Sequence, residues 1–235
     1  MTLGRPRLHL RETASTNDRA RELAAAGAPH GMLVTAAAQS AGRGRQGRSW
    51  SAPPGHALLM SLVLRGVHPL LPLAAAVGVA EAIGADARIK WPNDVLLSGR
   101  KVAGILAEGR PQEGWVVLGI GVNVAVRLED LPPELHATAA TLGRSPAGVE
   151  PFLESLLGAL DGALALPSPE LLDAWRARDA LRGRAISWAA GSGTADGIDG
   201  EGRLVVALLD GGRTTLDAGE VHLRPDRGDS PPSPV

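Results

Sequence analysis

Ten residues from Ala41 to Trp50 (AGRGRQGRSW), here called the arginine loop, combine glycine and arginine in a pattern that suits anion binding. Glycine lets the backbone approach a ligand closely, and successive backbone amides can point at an anion. Arginine pairs with phosphate or carboxylate through two parallel hydrogen bonds and keeps its charge when buried. No Asp or Glu occurs between Glu22 and Glu81, so the loop lies in an acid-free stretch of sequence. The pattern therefore predicts a local site for an anionic ligand.

The arginine loop nearly matches two phosphate-loop templates, but the residues that follow exclude both. Gly42–Ser49 resembles G-x-x-x-x-G-K-[ST] with Arg48 in place of lysine, and it also contains G-x-G-x-x-G. Both templates need a helix directly afterwards, so that the helix N-terminus faces the phosphate. Two prolines and a glycine follow Trp50 closely and prevent a long helix there.

Two interpretations of the loop remain. The first is a mobile loop that folds over an anionic ligand, with Trp50 stacking on a flat base. The second is an RNA-binding arginine–glycine segment, although such segments usually repeat in disordered tails. This segment occurs once, between two predicted strands, which favours the first interpretation.

Two further stretches place polar residues where strands begin or pass through a core. Lys90–Asp94 (KWPND) follows a predicted strand and enters a turn, and Lys101 opens the apolar run KVAGILAE. An ammonium and a carboxylate on partner strands form either an ordinary edge salt bridge or part of a charged rim. In GIGVN, glycines inside a strand mark the close approach of a ligand or another backbone. Asn123 then needs hydrogen-bond partners, which a purine edge would provide.

Helical and strand-like patterns alternate before residue 182 and give way to short strands after it. Apolar runs predict strands over 32–38, 56–64, 87–91, 102–108 and 115–124, and capped or Ala-rich runs predict helices after Ser15–Asp18 and over 71–83, 151–166 and 169–181. From Arg182, short alternating runs between Gly/Asp turns are typical of a small β-barrel. We therefore predict a larger domain of strands and helices over 1–181, a small β-domain over 182–225 and a disordered Pro-rich tail over 226–235.

Composition excludes several classes of protein. The chain has 235 residues, no Cys and a formal net charge of −1. It therefore has no disulfide framework, no thiolate metal site and no global basic field for nucleic acid. The sequence shows no signal peptide and no apolar run long enough to span a membrane, so we expect a cytoplasmic protein.

The sequence resembles the biotin–protein ligase family, the biotin–[acetyl-CoA-carboxylase] ligases. The resemblance rests on five motifs that occur in the same order: STN (15–17), Q-x-x-GRGRxGRxW from Gln39, KWPND, KVAGIL and GIGVN. The glycine-rich segment 195–224 resembles the C-terminal SH3-like domain of that family. The resemblance implies that residues 1–181 form a catalytic biotin/ATP-binding domain. It also implies an α+β fold, with a mixed or antiparallel sheet and flanking helices as in class II synthetases, plus a small SH3-like β-barrel. Many bacterial members begin with a helix-turn-helix domain. The 14 residues before the STN motif are too few for one, so we expect a monofunctional ligase with no DNA-binding role.

The resemblance also implies a two-step reaction. Biotin and ATP give biotinyl-5′-AMP and pyrophosphate, and the biotinyl group then passes to one lysine of a biotin carboxyl carrier protein. The first step joins two anions, so the protein must supply fixed positive charge. By resemblance, Arg43 and Lys101 bridge the biotin carboxylate and the α-phosphate, and Arg48 with Mg²⁺ holds the triphosphate. Asp94 receives and orients the acceptor lysine, whose unperturbed pKa is about 10.4.

The remaining expectations follow from the same resemblance. The predicted catalytic residues are Arg43, Lys101 and Asp94; the predicted biotin-binding residues are Ser15, Thr16, Asn17, Gln39, Gly42, Arg43, Arg45, Lys101, Gly104 and Gly119; and the predicted ATP-binding residues are Arg43, Arg48, Trp50, Asn93, Lys101 and Asn123. Mg²⁺ is expected mainly on the ATP phosphates, and no metal ligands are assigned. We expect the carrier protein as partner, no DNA and no membrane. Homodimers occur in the family, but the sequence does not give the oligomeric state. The alternatives are a lipoate–protein ligase of the same superfamily and a nucleic-acid-binding protein that uses the arginine loop.

Overall fold

Two β-sheets organise the protein, whose computed structural model describes residues 3–66, 70–217, 219 and 221–223. The larger sheet has seven strands in the order β1-β2-β3-β7-β6-β5-β4. Its strands are β1 (Arg7–Thr13), β2 (Leu33–Gln39), β3 (Ala57–Arg65), β4 (Arg88–Lys90), β5 (Asp94–Leu97), β6 (Arg100–Arg110) and β7 (Trp115–Asn123). The β1–β2 pair is parallel and the other neighbours are antiparallel, which confirms the predicted mixed sheet.

Helices cover both faces of this sheet. They are α1 (Thr16–Ala25), α2 (Leu71–Ile83), α3 (Val149–Ala165) and α4 (Ser168–Arg176). Alternate residues of β3 separate the two layers, because side chains in a strand point to opposite faces. Leu62 and Leu64 join the core beneath α2 and α3, whereas Val63 packs with Ala20 and Ala24 of α1. The predicted flanking helices are therefore confirmed.

The helix α2 has the bounds that the sequence predicts, and it lies between the sheet and α3. It is apolar on nearly every side, which is typical of a helix that is buried all round. A Cβ atom on Gly78 would lie 3.0 Å from the Cα of Leu160, so this glycine allows the close approach of α2 and α3.

The smaller sheet is antiparallel and follows α4. Its strands are β8 (Ala185–Trp188), β9 (Gly191–Ile198), β10 (Leu204–Ala207), β11 (Arg213–Leu216) and β12 (His222–Leu223), in the order β11-β10-β9-β8-β12. Among the described residues the sheet is open, with β11 and β12 at its edges, so the predicted barrel is not present as a closed structure. Ile186, Leu204 and Val206 belong to the same apolar core as α2 and α3.

Several elements differ from the predictions. Asp94–Leu97 forms β5 and pairs with β6, although the sequence predicted only a turn after KWPND and no strand there. The helix α4 ends at Arg176, before the predicted end, because residues 178–180 pair with β4: Ile89 N donates to Arg178 O at 2.7 Å, and Ala180 N donates to Ile89 O at 2.9 Å. The strand β1 and the glycine-rich β9 were not predicted from apolar runs. The predicted tail, 226–235, lies outside the described residues. In the part of the chain that is described, no helix is both long and apolar enough to cross a membrane.

Candidate active site

A cavity of about 520 Å³ lies on the α1 face of the larger sheet. Its walls come from the start of α1, the end of β2, the arginine loop and parts of β5, β6 and β7. The predicted site residues that line it are Ser15, Thr16, Asn17, Gln39, Arg43, Arg45, Arg48, Trp50, Asn93, Asp94, Lys101, Gly104, Gly119 and Asn123. Residues that are scattered over more than a hundred positions of sequence therefore meet at one cavity.

One wall is a buried polar floor formed by Ser15, Thr16, Asn17 and Gln39, and it is backed by Ser61, which does not itself line the cavity. The backbone N and Oγ1 of Thr16 both donate to Gln39 Oε1, at 2.7 and 3.0 Å. Ser61 Oγ lies 2.9 Å from Thr16 Oγ1 and donates to Asn17 Oδ1 at 2.6 Å. Except for Gln39, these residues are at most 4% exposed, and buried polar groups are retained where they find such partners. Ser61 was missed from the sequence; its only signal is a serine within the apolar run ALLMSLVLR.

Glycines on the sheet make room for side chains that stand over it. A Cβ atom on Gly119 would lie 2.1 Å from Asn17 Oδ1, and one on Gly121 would lie 2.6 Å from the Trp50 ring. A Cβ atom on Gly104 would meet the same ring at 3.1 Å. Gly104 and Gly119 are both predicted to bind biotin. In this structure the Trp50 ring lies over Gly104 and the Asn17 side chain lies over Gly119.

The arginine loop folds into a short hairpin. Arg43 bridges Ser49 in antiparallel fashion, Gly44 N donates to Arg48 O at 2.7 Å, and Trp50 N donates to Gly42 O at 2.9 Å. A Cβ atom on Gly42 would lie 2.4 Å from Trp50 O, so the hairpin closes only with glycine at this position. Gly42 is buried behind the hairpin, and it is the one predicted site residue that does not line the cavity. A single conformation does not test the predicted mobility of the loop, which stays a prediction.

Arg43 lies between two carboxylates that the sequence did not suggest. Its Nη2 donates to Asp18 Oδ1 at 2.6 Å and to Glu108 Oε2 at 3.2 Å. Glu108 also accepts a hydrogen bond from Asn17 Nδ2 at 2.8 Å. The stretch that is free of acids in sequence is therefore not free of acids in space, because α1 and β6 bring carboxylates to the loop.

The opposite side of the cavity carries the other predicted charges. Lys101 Nζ lies 2.7 Å from Asp94 Oδ1, an ion contact without hydrogen-bond geometry, so the predicted proximity of these two residues is observed. The same ammonium lies 5.8 Å from the centre of the Trp50 ring, within the range of cation–π attraction. Lys101 is fixed at its backbone, because its N donates to Thr138 O and its O accepts from Ala140 N, each at 2.7 Å.

The two predicted asparagines are tied to the surrounding backbone. Asn93 Nδ2 donates to Ile105 O at 3.0 Å, and Asn93 Oδ1 accepts from Arg45 Nη1 at 3.2 Å. Asn123 Nδ2 donates to Ala140 O at 3.0 Å. These bonds hold Asn93 at the cavity through both ends of its amide and Asn123 through its Nδ2.

Two lining segments had no signal in the sequence. Residues 131–139 contribute mainly apolar side chains, and the region of β12, including His222, closes another part of the wall. Neither segment has a spacing of chemistry-bearing residues that would mark it. Lys90 also lines the cavity, although the sequence suggested roles only for later residues of KWPND.

Comparisons with known proteins agree with this geometry. Residues 10–124 match the Biotin/lipoate A/B protein ligase family. The chain is 37% identical over 240 residues to Biotin--[acetyl-CoA-carboxylase] ligase of Paracoccus denitrificans, covering 90% of this chain and 98% of that protein. It is 44% identical over 144 residues to Bifunctional ligase/repressor BirA of Bacillus subtilis (strain 168), covering 56% of this chain. The match spans only 44% of that longer relative.

A solved structure shows the same fold. The structure of biotin protein ligase from Aquifex aeolicus in complex with biotin and ATP superposes with a TM-score of 0.81 at 26% sequence identity, covering 94% of this chain and 100% of that one. The motifs, the cavity that gathers them and the near full-length relative lead to one conclusion. The chain belongs to the biotin–protein ligases of the Biotin/lipoate A/B protein ligase family.

Proposed function

We propose that the chain is an ATP-dependent biotin–protein ligase that forms biotinyl-5′-AMP and then transfers biotin to a lysine of a biotin carboxyl carrier protein. One observation carries this proposal: a single cavity gathers the polar floor, the arginine loop, KWPND, Lys101 and GIGVN. The similarity to a near full-length biotin--[acetyl-CoA-carboxylase] ligase supports the substrate class and the carrier protein as partner.

In the first step, a carboxylate oxygen of biotin attacks the α-phosphorus of ATP, and the bond to the departing pyrophosphate breaks. Both reactants are anionic, so the barrier falls when cations are already in place around the reacting atoms. Arg43 and Lys101 supply these cations from two sides of the cavity, and Arg48 holds the triphosphate. Mg²⁺ enters with the nucleotide and neutralises phosphate charge when bound.

The neutral parts of the two substrates need different surroundings. The ureido ring of biotin presents N–H donors and a carbonyl acceptor, which the polar floor with Gln39 and the backbone of Arg45 would match. The apolar bicycle would lie over Gly104 and Gly119, which requires the arginine loop to move the Trp50 ring away from Gly104. Trp50, Asn93 and Asn123 would contact the adenine end, and their positions at the cavity support this assignment.

In the second step, the carrier lysine first gives up one proton from its ammonium, and its neutral Nζ then attacks the acyl carbon. The bond from that carbon to the phosphate oxygen of AMP breaks, AMP leaves, and the nitrogen releases its second proton to solvent. The acceptor lysine arrives as an ammonium, because its unperturbed pKa is about 10.4. Asp94 would receive and orient this ammonium and accept its proton. The contact of Asp94 with Lys101 supports this role, because the ammonium of Lys101 lies 2.7 Å from the same carboxylate.

Biotin-dependent exchange of pyrophosphate into ATP tests the first step, and a mass increase of a purified carrier domain tests the second. We expect biotin, ATP and Mg²⁺ together to drive both reactions. Exchange that is driven by lipoate and not by biotin would overturn the proposal.

The C-terminal region carries two finer proposals. We propose that the smaller sheet closes into an SH3-like barrel and that the boundary with the catalytic domain lies near Arg182. The order of its five antiparallel strands supports this assignment. A crystal structure tests closure of the sheet, and sedimentation of the purified chain measures the oligomeric state, which the sequence leaves open.

A further inference from the structure

Glu108, near the end of β6, is connected both to the polar floor and to the arginine loop. Its Oε2 accepts from Asn17 Nδ2 at 2.8 Å and from Arg43 Nη2 at 3.2 Å. Asn17 is in turn held by Ser61, and the missing side chain of Gly119 gives Asn17 its space. A continuous chain of hydrogen bonds therefore runs from the interior of the sheet to the guanidinium of Arg43.

The two carboxylates that contact Arg43 differ in how they are held. The Asp18 side chain is 44% exposed and also lies 3.6 Å from Arg21. The Glu108 side chain is 29% exposed, and its other partner, Asn17, is 4% exposed. A partner fixed by buried hydrogen bonds keeps its position, whereas an exposed carboxylate on a helix samples several rotamers.

We propose that Glu108 is a positioning residue that fixes the guanidinium of Arg43 for adenylate formation, with Asn17 holding Glu108 in place. This inference rests on the proposed function. Both carboxylates accept from Nη2, and a guanidinium carries three further N–H donors on Nε and Nη1. Arg43 therefore keeps donors for an anionic substrate while Glu108 sets its orientation.

Positioning and simple charge have opposite consequences. A carboxylate beside Arg43 reduces the local positive potential, so a purely electrostatic role predicts that Glu108→Gln strengthens the binding of anionic substrates. A positioning role predicts a loss of rate, because a displacement of reacting groups by about 1 Å costs up to a hundredfold in rate.

A double-mutant cycle on biotin-dependent ATP–pyrophosphate exchange tests the proposal. We expect Glu108→Gln to lower kcat/KM about tenfold in the wild-type background and by less than about twofold in the Arg43→Ala background. Glu150→Gln is the matched control, because it also removes a carboxylate that is paired with an arginine, and neither Glu150 nor Arg7 lines the cavity. An equal loss in both backgrounds, no loss in the wild-type background, or a gain would overturn the proposal.

A second measurement does not depend on activity. Trypsin cleaves after arginine, so the rate of cleavage after Arg43, Arg45 and Arg48 reports how firmly the loop is held. We expect faster cleavage in Glu108→Gln and in the charge-preserving but shorter Glu108→Asp than in Glu150→Gln, at equal thermal stability. Equal rates would contradict the proposed anchoring. A wild-type chain without exchange activity would instead contradict the proposed function.

Discussion

The polar floor and the arginine loop face the same cavity, but they are built in opposite ways. The floor residues Ser15, Thr16 and Asn17 and the adjoining Ser61 are almost fully buried, and hydrogen bonds join Thr16, Asn17 and Ser61 to one another or to Gln39. The loop is largely exposed, is closed by a few backbone hydrogen bonds, and is fastened through Arg43 to carboxylates that are themselves partly exposed.

The difference separates two tasks. A floor that is already hydrogen-bonded needs no reorganisation and can select a neutral polar group by shape. Exposed ion pairs contribute only about 0–1 kcal/mol, so the loop can exchange its partners at low cost when an anion arrives. In the proposed reaction, the floor therefore recognises biotin and the loop supplies charge.

The largest expected effect comes from removing either cation. Arg43→Ala and Lys101→Ala should each lower biotin-dependent exchange about 10²–10³-fold, because each removes a charge that stabilises the transition state. Melting curves should stay close to wild type, since both side chains are partly exposed. If Arg43→Ala retains exchange within a few-fold of wild type, the loop is only a passive cover.

A smaller and more selective effect is expected at Asp94. Asp94→Asn should slow transfer from preformed biotinyl-5′-AMP to the carrier lysine about a hundredfold, because the proton acceptor is lost. Exchange in the same variant is the internal control and should change much less. Normal single-turnover transfer by this variant would show that Asp94 has no role in the second step.

A larger side chain in the polar floor should lower the stability of the protein. Gly119→Ala would place Cβ 2.1 Å from Asn17 Oδ1, so we expect the free energy of unfolding to fall by about 1–3 kcal/mol. Gly158→Ala, on an exposed position of α3 with open space around it, should instead raise it by about 0.5–1 kcal/mol. Urea titrations of both variants measure the contrast, and equal changes would show that the floor is not tightly packed.

The smallest effect is expected from breaking an exposed arginine–carboxylate pair. Arg7 donates two hydrogen bonds to Glu150, one of them at 2.9 Å from Nη2 to Oε2, and these bonds lower the pKa of Glu150. A lowered carboxyl pKa adds stability above the pKa of the unfolded chain, and this stability is lost as the pH falls through the folded value. Glu150→Gln should therefore cost less than about 1 kcal/mol at neutral pH and less still in acid. Urea titrations at neutral and at acidic pH measure the cost of the substitution. A larger cost in acid would contradict a lowered pKa of Glu150.

Much of the fold follows from local pattern. The helix α2 and the strands β2, β3, β6 and β7 lie where apolar runs predict them, because burial on both faces leaves long apolar segments. The strand β5 was missed because its four residues lie between the turn residues Asn93–Asp94 and Ser98–Gly99, which leaves too short an apolar run to mark a strand. The strand β9 was missed because glycine carries no side-chain pattern.

The site was predicted to the extent that motifs carry it. The motifs in the sequence identified almost every charged or amide side chain that lines the cavity. The partners Asp18, Glu108 and Ser61 were missed, because each is defined by contacts across 25 to 65 positions of sequence. Composition suggested an acid-free arginine loop, and only the packing of α1 and β6 against it shows otherwise.

The buried indole of Trp91 has a consequence for the order of folding. Its Nε1 donates to Gly202 O at 3.1 Å, across 111 positions of sequence. The last two residues of the same motif, Asn93 and Asp94, line the cavity. On a ribosome, this motif emerges long before its partner. The segment that leads to Asp94 therefore gains this hydrogen bond only after the smaller sheet has been synthesised and has docked. This part of the cavity is completed late in biosynthesis.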